Sequence, residues 1–110
     1  MIVVASGSAT SVAANTKSAE QVTGTYQNVS GGALILIAKS SATGMNCSLS
    51  CGGVPLVNDA IIPYTGTAGT MSINDNVLVS QLVAGGKVEL TFRNTTGGAL
   101  TVGYLLQFQP

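Results

Sequence analysis

The 110 residues carry four basic and four acidic side chains, a formal charge of zero, and no histidine. Charged residues make up 7% of the chain, against about 25% in an ordinary soluble domain. A balance this sparse gives no field to hold a nucleic-acid backbone or an anionic membrane surface, and it guards poorly against self-association.

The length suits one domain with a modest core. The opening "MIVVA" has no basic flank and no apolar stretch of signal-peptide length. Residues 5–20, "ASGSATSVAANTKSAE", are small and polar with little to bury. Residues 1–20 therefore read as an extended N-terminal arm, with a short helical turn over 13–20 as the lesser option. The apolar tip of that arm, Met1, Ile2 and Val3, is expected to dock on a neighbouring chain.

From residue 21 the texture changes to short alternating runs separated by Gly, Ser, Asn and Asp, the pattern of a sandwich or barrel. "VTGTYQN" brings Val22 and Tyr26 to one face, "VSGG" turns, and "ALILIAK" returns. The run "ALILIA" falls far short of the ~20 apolar residues of a membrane-crossing helix. "GMNCSLS", "GVPLVND", "AIIPYTG" and "TMSIND" follow as short strands, with Pro55 and Pro63 marking edges, bulges or strand ends. Cys47 and Cys51 in "CSLSC" lie about 13 Å apart if that segment is a strand, too far for a disulfide, whereas a turn would permit one. The preferred reading is two small buried thiols made in a reducing compartment. "SQLVAGG" reads as a strand ending in a glycine turn.

The period is strictly two in "KVELTFR", where Val88, Leu90 and Phe92 oppose Lys87, Glu89, Thr91 and Arg93. "NTTGG" breaks the run, its glycines supplying the positive φ of a tight reversal. In "ALTVGYLLQF", Leu100, Val102, Tyr104, Leu106 and Phe108 share a face. The expected fold is all-β: an antiparallel β-sandwich or jelly-roll-like barrel of about eight short strands, residues 21–110, with the arm before it.

"NVSGGALILI", residues 28–37, thus recurs as "NTTGGALTVG", residues 94–103, and each copy is expected to be a hairpin. Superposition places Leu34 on Leu100 and Leu36 on Val102, the core positions. Ile35 and Ile37 then fall on the other face, where the second copy has Thr101 and Gly103. A strand apolar on both faces needs cover on both. Either the N-terminal arm covers Ile35 and Ile37 or a second subunit does, and the second reading makes them interface residues.

Catalytic chemistry has little to work with. Without histidine the commonest general base and metal ligand is gone, and no serine sits in a G-x-S-x-G elbow. Glu20, Asp59, Asp75 and Glu89 are scattered. "SINDN", residues 72–76, has one carboxylate, too few for a calcium loop. The glycine pairs open no helix and precede no G-K-[ST]. With five aromatics and no tryptophan, a sugar-stacking platform is a weak expectation. Neither an enzyme nor a cofactor or metal site is expected.

The stretch "LVAGGKVELTFRNTTGGALTVGYLLQFQP", and less closely residues 28–37, resembles the small β-sandwich structural proteins of tailed-bacteriophage virions, most of all the capsid decoration or cement proteins. The resemblance implies a non-enzymatic protein, made in the host cytoplasm and seated on the outer surface of the virion capsid. There it would bridge subunits of the major capsid protein as a homo-oligomer, a trimer in preference to a dimer. The shared motif is a turn, so no individual functional residue carries over. A carbohydrate- or host-surface-binding module of a spike or fibre, around Tyr64 and "INDN", and a self-assembling coat protein are the alternatives.

Overall fold

Two antiparallel four-stranded sheets lie face to face, each presenting its apolar alternation to the other. The computed structural model describes residues 2–23, 27–40, 42–62 and 77–110, without the side chains of residues 8 and 9. Among these the strands are β1 Ile2–Val12, β2 Asn28–Val29, β3 Gly32–Ser40, β4 Met45–Cys51, β5 Val54–Ile61, β6 Val77–Val83, β7 Gly86–Asn94 and β8 Leu100–Gln109. The first sheet runs β1-β8-β3-β6 and the second β2-β7-β4-β5. The all-β sandwich expected from the alternation is the fold. Met1, Tyr26, Pro63, Tyr64, Asp75 and the "SINDN" turn lie outside the described residues.

Val88, Leu90 and Phe92 of β7 meet Val102, Tyr104, Leu106 and Phe108 of β8 in one core. The Phe92 and Tyr104 rings approach to 5.1 Å between centroids, tilted by 51°. They meet across the core, not side by side, because β7 and β8 belong to different sheets. This corrects the expected hairpin: "NTTGG" is an arch that carries the chain from one sheet to the other. Gly97 and Gly98 accordingly have no positive φ. The first copy does the same, β2 lying in the second sheet and β3 in the first. Period-two patterning places one face of each strand in the core and says nothing about which sheet holds it.

Among the described residues the hairpin is β4–β5, where Cys51 pairs with Val54 around Gly52 and Gly53, at φ 61° and 83°. Both values lie where a side chain would be strained, and a two-residue turn with two positive φ angles follows the twist of its strands.

A second correction concerns the arm. Ile2–Val12 is no free segment but the edge strand β1, paired antiparallel with β8. Val4 and Val12 belong to the core. One of the small residues that suggested a linker, Gly7, is small for a steric reason. A Cβ on Gly7 would stand 2.5 Å from Thr10 Oγ1 and 2.9 Å from the Tyr104 ring. Residues 15–21 then follow the edge of β7, bonded partly through side chains. Ser18 and Gln21 donate their N–H groups to the carbonyls of Phe92 and Leu90, at 2.7 and 2.9 Å. In return the Phe92 N–H reaches Ser18 Oγ at 2.9 Å and the Leu90 N–H reaches Glu20 Oε1 at 2.6 Å. An irregular strip thereby satisfies an edge that β2 is too short to cover.

Candidate assembly surface

Register across the first sheet fixes which side chains share its outer face, since residues directly opposite point to the same side. One row runs Val3, Gln107, Ile35, Ser80. The next runs Ser6, Leu105, Ile37, Val77, and on the other side lie Gln109, Ala33 and Leu82. Two residues expected at an interface, Val3 and Ile35, are thus brought together, separated only by Gln107. Val3 is 48% exposed and Ile35 half-buried.

The other expected interface positions stand differently. Ile2 pairs with Phe108 on the inner side and packs against the core. Met1 lies outside the described residues. Ile37 is only 2% exposed and Lys39, next along the same face, 6%, with a single chain present. Their own chain covers that end of the face, so Ile37 needs no second subunit to bury it. Missing from the sequence reading were Val77 and Leu82 of β6, 41% and 81% exposed. The bulge at Leu78, between the pairs Leu36–Val79 and Ile37–Val77, breaks the alternation that would have assigned them a face.

The second sheet turns a different face outward. Lys87, Glu89 and Arg93 are exposed along β7, Asn58 and Asp59 along β5, and Lys17 on the strip beside β7. Arg93 donates from Nε to Asp59 Oδ1 at 2.9 Å and from Nη2 to Oδ2. That hydrogen bond holds the Asp59 carboxyl below the usual carboxylate range, with the Arg93 charge and the Asn46 amide helping. Asp59 sits at φ 56° in a bulge opposite Ser48, whose Oγ accepts its N–H at 2.9 Å. An open cleft of about 330 Å³ lies here, lined by Lys17, Ser48, Asn58, Asp59, Thr91 and Arg93. Its lining is polar, and the buried Phe92 is the one aromatic it touches among the described residues. Ile61 adds an exposed apolar side chain beside Asn46. Of the described charged residues only Lys39 belongs to the outer face of the first sheet.

Cys47 and Cys51 both point inward from β4, buried and in no disulfide, as the strand reading required. Burial first, and the nearby Asp59 charge second, push the Cys47 thiol up to about 11. Burial raises Cys51 too. Such thiols are poor nucleophiles. Among the described residues no group of three or more Cys, Asp or Glu converges on a point that could hold a metal, and no helix is long and apolar enough to cross a membrane.

Comparison with known proteins finds no matching family, no matching curated protein and no matching solved structure.

Proposed function

We propose that this chain is a non-enzymatic structural protein that works by contact, using the open part of the outer face of its first sheet. The observation that carries the reading is the division of its surface. Val3, Ile35, Val77 and Leu82 surround neutral Gln107 and Ser80 on one side, while on the other the charges Lys17, Asp59, Lys87, Glu89 and Arg93 stand with exposed Val54 and Ile61 among them. Exposed apolar side chains gathered on one face of a small domain favour docking. The charged sheet would keep the assembled protein solvated.

The role that fits best is a virion part on the outside of a phage capsid, bridging subunits of the major capsid protein. A protein that binds only the assembled shell stabilises it by linkage, and symmetric repetition turns weak contacts into high avidity. The carbohydrate-binding alternative draws less support, because the polar cleft on the second sheet offers a sugar no exposed aromatic among the described residues. An antiserum against the purified chain tests the proposal on virus particles from the source culture. Immunogold label should decorate the outside of intact capsids, with the chain present in many copies per particle. Detection only in the particle-free fraction would overturn it.

A further inference from the structure

Four strands end the two sheets, and three of them carry features that discourage the addition of another strand. β1 has two register shifts, at Val3/Ala5 and Gly7/Thr10. β2 is only two residues long. β5 holds Pro55, the charged Asp59 and two register shifts. β6 differs. Its sequence, "VLVSQLV", contains no charge, proline or glycine, and its one irregularity is at Leu78. Among the described residues nothing is hydrogen-bonded to the side of β6 that faces away from β3.

We infer that β6 pairs antiparallel with β6 of a second copy across a two-fold axis at Ser80, joining two first sheets into one continuous sheet. A two-fold contact must be self-complementary, and this strand reads almost the same in both directions. Ser80 meets Ser80 and Val79 meets Gln81, and Leu82 reaches the bulge at Leu78, beyond which the one-to-one register ends. Val77 and Leu82, the large apolar side chains that β6 leaves most open, stand at opposite ends of the strand on the outer face. Antiparallel apposition lays Leu82 of each copy against the Val77–Leu78 bulge of the other. No charge on β6 opposes the pairing. Beside it an apolar groove of about 280 Å³, lined by Cys51, Val54, Leu56, Leu82 and Val83, widens the contact toward β5.

Seven residues of strand span about 24 Å, and one sheet is about 10 Å thick, so the edge itself offers about 240 Å² per copy, small by the standard of specific interfaces. Main-chain hydrogen bonds along the joined edges add directionality. A weak dimer follows, one that repetition on a particle would consolidate. The inference names a second copy as one occupant of the surface proposed above and rests on that reading. Its symmetry is two-fold, in place of the three-fold order suggested by resemblance.

Sedimentation equilibrium and oxidative cross-linking of the full chain test it. The wild type should pass from monomer to dimer between low micromolar and several hundred micromolar concentration. Leu82→Lys should raise the dissociation constant at least tenfold with an unchanged circular dichroism spectrum, since that side chain contributes little to its own fold. Ser80→Cys should form an intermolecular disulfide under mild oxidation, because directly opposed residues bring their Cβ atoms to about 5 Å. Ser11→Cys, on β1, should not. The native thiols are buried and will not interfere. A strictly monomeric wild type, a trimer, or a dimer that neither Leu82→Lys weakens nor Ser80→Cys traps would overturn the inference. A monomer that still labels capsids sinks this inference alone. A β6-linked dimer that labels no particle supports it and removes the capsid role.

Discussion

Glu20 Oε1 accepts the backbone N–H groups of both Leu90 and Val22, at 2.6 and 3.0 Å. Removing it in Glu20→Ala leaves two donors without that carboxylate. Urea unfolding should show a loss of about 1–3 kcal/mol, with Glu20→Gln recovering part of it. Asn94, 1% exposed, is bonded more completely still. Its Nδ2 donates to the Val12 and Gly98 carbonyls, and its Oδ1 accepts from Thr96 N and Oγ1. It ties the arch between β7 and β8 to the end of β1. Asn28, at the same place in the first copy, is exposed and pairs with Lys87. One letter repeated does not mean one role repeated. At the surface, Arg93→Ala should raise the Asp59 pKa toward its ordinary value, as a carboxyl NMR titration would register. In the native protein that ion pair favours the fold above the ordinary aspartate range, and the benefit is lost as pH falls through the lowered native value. Both side chains are well exposed, so the effect on stability is small. Cys47 and Cys51 should stay unalkylated by iodoacetamide at neutral pH until the chain unfolds; stoichiometric labelling of the native protein would contradict their burial.

At the scale of elements, β1 has the greatest consequence. It completes the first sheet, supplies Val4 and Val12 to the core, and brings Gly7 over Tyr104. Deleting residues 1–12 should therefore abolish the cooperative thermal transition seen by circular dichroism. A truncated chain that melts cooperatively near the wild-type temperature would show that β1 is dispensable after all. The two copies of the repeated phrase also meet at this scale. β3 and β8 are neighbours in the first sheet, with Leu36 opposite Leu106, and β2 and β7 are neighbours in the second. Both pairings are antiparallel, so the arches stand at opposite ends of the sandwich, the first beside Gly86 and Gln109 and the second between Asn94 and Leu100.

For the whole molecule, the adjacent isoleucines of the first copy separate folding from assembly. Ile37 is buried by its own chain, so Ile37→Thr should lower monomer stability by about 1–3 kcal/mol in chemical denaturation. Ile35 lies in the open row beside Gln107 and Val3. Ile35→Lys should shift the melting temperature only slightly and reduce capsid labelling several-fold. A reversed pattern, with Ile35→Lys unfolding the chain and Ile37→Thr sparing it, would mean that the open and covered ends of the face are exchanged.

Sequence alone determined the class of fold and the inner faces of the strands. In "KVELTFR" and "ALTVGYLLQF" alternate apolar residues recur without a break, and a period of two admits one buried face. It left open whether Cys47 and Cys51 bond, and the structure settled that by making their segment the strand β4. The tertiary structure decided which strands share a sheet, and so made arches of two expected hairpins. It turned a run of small residues into β1, since pairing with β8 orders the run and the Tyr104 ring leaves room only for glycine at Gly7. It also divided Ile35 from Ile37. Both lie on the same face of one strand, and only the packing of distant parts of the chain determines which of the two remains open to a partner.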